Sequence, residues 1–327
     1  MIAFLLRRAL QAILVMLVVG FISFGLFNFV GDPVSQMVPP EATQADRDAM
    51  RHALGLDRPF YVQFGTFLAN ALHGDFGLSL RLGRPVSALI AERLPATLEL
   101  SFTAALIGLA VGIPAGVYTA LKRDSWLSRA TLTISLVGVS LPNFIIGIFL
   151  ILVFAVWLGV LPSFGRGDTV QLGFWSTGLL TASGLKALIL PAITLGFFPL
   201  TLVMRLVRSE MLEVLRSDYI KFARARGLTD RAVNFGHALR NTLVPVITIT
   251  GLQLGGIIAF AIITEQVFQW PGMGLLFVQA VQFADVPVMA AYLCLIGLVF
   301  VVINLVVDLL YYLVDPRLRV EKGAEAR

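Results

Sequence analysis

The chain has 327 residues, of which 57% are hydrophobic and 14% charged, and its mean hydropathy of +0.86 lies outside the range of water-soluble domains. A soluble fold this apolar would aggregate, so its solvent is lipid. The net charge of +5 is spread between apolar segments with no aromatic-basic module, which argues against nucleic acid, and the single cysteine, Cys294, excludes an intramolecular disulfide or a thiolate metal cluster.

Six segments are long and apolar enough to cross a hydrocarbon core, near 9–30, 97–121, 130–157, 187–206, 243–265 and 288–314, since a crossing takes about 20 helical residues. An all-α integral membrane fold with six transmembrane helices follows. The first segment comes after Arg7 and Arg8, as a signal peptide would, but its apolar run is too long and no small-residue cleavage site follows Phe29-Val30, so it is read as a retained anchor. Loop charge sets orientation. Lys122, Arg123 and Arg129 after the second span, and eight lysines and arginines between Arg205 and Arg240 after the fourth, place those loops in the cytoplasm. The third loop has only Arg166 before Lys186 and the fifth has no basic residue, so both face outward. Both termini are then cytoplasmic, with Arg317, Arg319, Lys322 and Arg327 in the tail. Three divisions result: an anchor and outward loop over 1–95, a transmembrane domain over 96–315 with a cytoplasmic loop at 205–242, and a tail at 316–327.

The outward segment from Gly31 to about Pro95 is too long for a simple connector. It holds Pro39-Pro40, an amphipathic stretch ending at Gly55, and a second stretch opened by Pro59. There Phe60, Phe64, Phe67, Leu68 and Ala71 recur at helical spacing, and Gly74 is the expected cap. A third piece, Pro85 to Arg93, puts Val86, Leu89 and Ile90 on one face and is expected to stop before Pro95. These read as short interfacial helices covering the outer mouth; a solvated loop containing helices is the alternative.

Gly108, Gly112, Pro114 and Gly116 let the second span approach its neighbours closely and make it central in a bundle. In the third span, Gly138 to Asn143 is a polar patch broken by Pro142, whose freed carbonyl needs protein or water. Asn143 is therefore either a pathway residue or part of a packing kink.

After the fourth span, Leu206, Met211, Leu212, Leu215, Tyr219, Phe222 and Ala223 recur in steps of three and four, predicting a helix that continues beyond the membrane with one apolar face. Gly227 supplies a left-handed cap. Leu228-Thr229-Asp230 then starts a second helix, with Thr229 as N-cap, Asp230 at the positive helix end and Leu228 stapled to Val233. Arg216, Asp218, Lys221, Arg224 and Arg226 beside Tyr219 and Phe222 give the mixture favoured at protein interfaces; anionic lipid is the competing partner for such a face.

This stretch resembles the EAA loop of ATP-binding-cassette importer permeases, and most closely the dipeptide, oligopeptide and nickel branch. Asp218-Tyr219, Ala223-Arg-Ala225-Arg-Gly227-Leu228 and His237-Ala-Leu-Arg-Asn241 carry the resemblance, with Lys221 where the general pattern has glutamate. Leu54-Gly-Leu-Asp-Arg-Pro59, Gly74-Asp-Phe-Gly77, Arg93-Leu-Pro95-Ala-Thr97-Leu-Glu99, Glu265-Gln-Val-Phe-Gln-Trp270-Pro271-Gly-Met-Gly274, Asn304-Leu-Val-Val-Asp308 and Asp315-Pro316-Arg317 are similar to its B-type subunits. The likeness covers nearly the whole chain. It implies a type I importer permease in a bacterial inner membrane, multi-pass, with about Arg216 to Gly227 docking in a groove of a cytoplasmic ATPase. The implied partners are a second homologous permease subunit in a heterodimer, one or two ATPase subunits that bind the ATP and Mg, and an extracytoplasmic substrate-binding protein. Peptides are the implied cargo, with nickel chelates, glutathione or sugars as alternatives.

In the fifth span, Thr248, Thr250, Gln253, Gly255 and Gly256 form a polar, small-residue strip suited to packing or to cargo passage. The corner at Trp270-Pro271 after Glu265 reads as an outer gate or receptor contact, or as a plain turn. Asp308, one turn from Asn304, is a functional candidate or the partner of a basic loop residue. Catalysis is not expected. None of the four lysines follows a glycine, so no phosphate-binding loop is present, and His52, His73 and His237 lack metalloprotease spacing. No cofactor is expected in this chain. A secondary transporter or channel, the remaining class, would show paired ionisable groups in mid-membrane or inverted broken repeats.

Overall fold

The computed structural model describes residues 2–29, 34, 43–53 and 57–314. Pro39-Pro40, Gly55, the tail at 316–327 and the side chains of Thr248 and Asp308 lie outside the described residues. In chain order come α1 (Ile2–Phe29), α2 (Gln44–Ala53), α3 (Phe60–Leu72), α4 (Val86–Leu121), α5 (Trp126–Ser140) and α6 (Asn143–Leu150), which continues as a π-helix over Ile151–Trp157. A two-stranded hairpin, β1 (Val170–Leu172) and β2 (Trp175–Thr177), precedes α7 (Ala182–Val214) and α8 (Asp218–Ala225). A π-helical segment, Ala232–Ala238, then runs into α9 (Leu239–Phe268), followed by α10 (Met273–Gln282) and α11 (Val286–Val314). Five of these helices are long and apolar enough to cross a membrane, and α5 with α6 makes a sixth span bent by 115°.

The described chain divides into two compact units. One comprises 1–97, 170–177 and 270–302, and the other 98–169, 178–269 and 303–327.

In the first unit, the helically spaced phenylalanines of α3 meet α1. The ring of Phe24 lies 5.1 Å from Phe60, 5.5 Å from Phe64 and 5.8 Å from Phe67. That face therefore has an intramolecular partner. Gly74 caps the helix as its position predicts, with φ +74°. α2 begins with a reciprocal cap: Asp46 accepts from the Thr43 amide and hydroxyl at 3.0 and 2.7 Å, and the Asp46 amide donates back to Thr43 Oγ1. Those bonds hold the Asp46 carboxyl below the usual carboxylate range. Asp285, buried, closes the turn before α4 by accepting from Ser79 Oγ at 2.5 Å and from the Leu80 amide at 3.2 Å.

The expected third outward piece is not separate. Residues from Val86 onward form one helix of 36 residues that runs through Pro95. Proline withholds one bond but does not end a helix that is held by packing, and here Val86, Leu89 and Ala96 are all buried.

In the second unit α4, α5, α6 and α9 pack on α7. The close approach expected of α4 is real: a Cβ on Gly112 would lie 3.0 Å from Leu200 O, and one on Gly116 2.6 Å from Val207 Cβ. Pro142 breaks the third span more sharply than a kink. Leu141 is forced into the extended region before proline, at φ −97° and ψ 136°, so α5 stops at Ser140 and α6 departs in a new direction.

Candidate functional site

The helix expected to run on past α7 ends at Val214, and α8 starts afresh. Ser217 is extended, at φ −68° and ψ 154°, its hydroxyl donates to Val214 O at 2.5 Å, and Asp218 and Arg224 stand at the helix ends that favour their charges. The Ser-Asp pair is a helix-start signal. It was overshadowed by an apolar period that runs straight through it.

The break re-aims the apolar residues. Ile220 and Ala223 turn inward and join a core with Val207, Met211, Val233, Ala238 and Val246. Tyr219 and Phe222 turn outward, 42% and 64% exposed. Around them Arg216, Asp218, Lys221, Arg224, Ala225 and Gly227 are exposed. Of the expected docking residues, Ala223 alone is buried and faces the core. Lys221 Nζ lies 2.8 Å from Asp218 Oδ1, an exposed pair within the same helix.

Gly227, at φ +79°, reverses the chain after α8. Its amide donates to Arg224 O at 2.9 Å, and Thr229 Oγ1 accepts from the Ala232 amide at 3.4 Å, the N-cap role its sequence predicts. The following helix runs directly into α9 through the π-helical segment. Asn241 Nδ2 donates to the Tyr219 hydroxyl at 2.6 Å. That bond ties α8 to the base of α9, joining the two ends of the motif-bearing stretch.

A second feature lies along α7. Asn143 and Gln253 line one cleft of about 250 Å³ with Leu141, Pro142, Phe198, Pro199 and Phe260. Both amides are half-buried, so two of the three expected pathway residues come together. Thr250 does not line the cleft; its hydroxyl is buried without a hydrogen-bond partner among the described residues.

The Trp270 corner differs from expectation. Trp270 is 1% exposed and its indole Nε1 donates to Ala96 O at 3.0 Å, while the Met273 amide donates to Thr97 Oγ1 at 2.8 Å. Glu265 is likewise buried and Pro271 half-buried. A receptor cannot touch the buried indole, so in this structure Trp270 is a packing anchor. Sequence reasoning also missed a buried ion pair: Arg166 Nη2 lies 2.6 Å from Glu99 Oε2, and the Gly178 amide points at the same oxygen. The partners are 67 residues apart, and no local signal links them. Among the described residues, no group of three or more histidine, cysteine, aspartate or glutamate side chains is placed to hold a metal ion.

Comparison with known proteins decides the family. Residues 112–320 match the family described as binding-protein-dependent transport system inner membrane component, and residues 1–101 match its N-terminal companion. The chain belongs to this permease family. The permease is 37% identical to the dipeptide transport system permease protein DppB of Alkalihalophilus pseudofirmus, over 98% of this chain and 100% of that protein. It is 40% identical to the di/tripeptide transport system permease protein DppB of Pseudomonas aeruginosa, over 98% and 99%. To the glutathione transport system permease protein GsiC of Shigella flexneri it is 38% identical, over 98% and 99%. Among solved structures, the inward-facing MetNI methionine ABC transporter aligns with a TM-score of 0.55 at 20% identity, over 69% of this chain and 96% of that one. That likeness is one of fold, the type I importer permease. The permease is a multi-pass inner-membrane subunit of an ABC importer.

Proposed function

We propose that the permease forms half of a translocation pathway for di- or oligopeptides, paired with a second homologous permease subunit and fed by an extracytoplasmic binding protein. The naming of its relatives for dipeptides, di/tripeptides and glutathione supports a short zwitterionic peptide as cargo. ATP and Mg bind on partner ATPase subunits. The exposed face of α8 docks there, and the Asn143–Gln253 cleft forms part of the pathway wall, offering neutral amide donors and acceptors to a peptide backbone.

The observation that carries the docking role is the division of α8 into two faces. Ile220 and Ala223 are held by the core and Tyr219 by Asn241, so a push on Phe222 moves the bases of α7 and α9 together. Reconstitution with the ATPase and binding-protein partners tests this. Phe222→Ala should hydrolyse ATP without accumulating peptide. Unchanged coupled uptake removes the docking role, and full uptake by this chain alone removes the importer assignment.

A further inference from the structure

The groove between α5 and the last turns of α7 carries charge that no described acid neutralises. It encloses about 400 Å³ and is lined by Leu132, Leu136, Arg205, Arg208, Ser209 and Leu212. Arg205 and Arg208 stand three residues apart on α7, so they share a face and repel each other. Both are half-buried. Among the described residues neither has an aspartate or glutamate within 4.0 Å, and Glu210 and Glu213 of the same helix are outside the lining. Their hydrogen bonds position them without cancelling charge: Arg208 Nη1 donates to Thr119 O at 2.5 Å, and Arg205 Nε to Ser135 Oγ at 3.4 Å. Each guanidinium keeps further N–H donors for an anion.

The rest of the lining selects the kind of anion. Three of the six lining residues are leucines, and α5 exposes Ile134, Leu136 and Val137 alongside. A small hydrophilic ion would leave that surface uncovered, whereas an anionic amphiphile satisfies both halves. Depth agrees. The 33 residues of α7 extend about 50 Å at 1.5 Å per residue, well beyond a hydrocarbon core of about 30 Å. A crossing counted from Ala187 is complete near Leu206. Arg205 to Leu212 therefore sit at head-group level, on the side that loop charge assigns to the cytoplasm.

We infer that this groove binds the head group of an anionic phospholipid from the inner leaflet, with its phosphate between Arg205 and Arg208 and an acyl chain along Leu132 and Leu136. The site is distinct from the exposed basic face of α8. It relieves the repulsion between the two arginines and clamps α5 to α7 just before α8.

The test uses the full chain with its partner subunits in nanodiscs of mixed phosphatidylcholine and phosphatidylglycerol, followed by mass spectrometry of the lipid retained through detergent extraction. The wild type should retain phosphatidylglycerol selectively. Arg205→Gln with Arg208→Gln should lower that selectivity roughly 10- to 30-fold, the factor expected for two basic residues at a membrane surface. Arg205→Lys with Arg208→Lys should keep most of it, which separates lost charge from lost structure. Lys122→Gln with Arg123→Gln, removing equal charge from the neighbouring loop, should leave it unchanged. No selectivity in the wild type, or equal losses in both glutamine pairs, overturns the site. Displacement of the lipid by inorganic phosphate alone would make the occupant a free anion, and displacement by a soluble dipeptide would make it cargo; either result also overturns it.

Discussion

The α8 corner and the Trp270 corner look alike as sequence: each sets large aromatic residues beside a chain reversal, and each reads as a contact surface. In the structure they are opposites. Phe222 is 64% exposed and Trp270 1%. The difference lies in whether each corner keeps a face toward the outside. α8 has Ile220 and Ala223 to bury, which frees Tyr219 and Phe222 to face outward. At the short loop between α9 and α10, Phe268 and Met273 on either side of Trp270 are also 1% exposed, and the indole is buried with them and donates to Ala96 O. An aromatic residue faces outward where its helix has one buried and one exposed side, as α8 does, and inward where its neighbours on both sides are buried too.

This contrast can be broken by substitution. Trp270→Ala should cost about 3–5 kcal/mol in stability, as loss of a buried aromatic does, seen as a lowered thermal midpoint of the purified permease. A midpoint unchanged within error would return Trp270 to the surface. Thr97→Val keeps the shape but leaves the Met273 amide without its acceptor, and should cost about 1–3 kcal/mol in the same assay. Gly227→Ala comes next. A Cβ there meets no atom within 4 Å, so only the left-handed backbone is penalised, by about 1–2 kcal/mol, and Gly227→Asn should recover part of it.

On the other side of the comparison, Phe222→Ala should change stability by less than about 0.5 kcal/mol, as exposed substitutions do, while coupling is lost. A large fall in midpoint would mean that Phe222 belongs to the core. The smallest effect is expected at Asp46. Its folded-state carboxyl titrates below the ordinary range, so the cap it gives α2 is complete above that range and is lost as pH falls through the lowered value. Protection of the α2 amides, exchange relative to the unstructured rate at the same pH, should fall on acidification, and Asp46→Asn should flatten that dependence.

Much of this was legible in sequence because the physics was local. Left-handed turns at Gly74 and Gly227, the Thr229 cap and the glycine approach of α4 follow from residue type and spacing. The apolar period from Leu206 to Ala223 misled on continuity alone, because a period cannot register the restart at Ser217 that ends one helix at Val214 and begins the next at Asp218. Proline was ambiguous in the same way. Pro142 ends α5, whereas Pro95, Pro191 and Pro199 sit within helices held by packing. Pairings between distant residues leave no local mark: nothing near Glu99 points to Arg166, and Asn143 and Gln253 each stand out in sequence with no sign that they share a cleft. Burial of Trp270 was hidden because it depends on α4.

Site-specific photo-crosslinking in native membranes tests the central claim most directly. A benzophenone amino acid in place of Phe222 should form an adduct with the ATPase subunit, and the yield should change when ATP is supplied. An adduct with lipid alone, or none with the ATPase in any nucleotide state, would contradict the assignment of α8 as the docking helix.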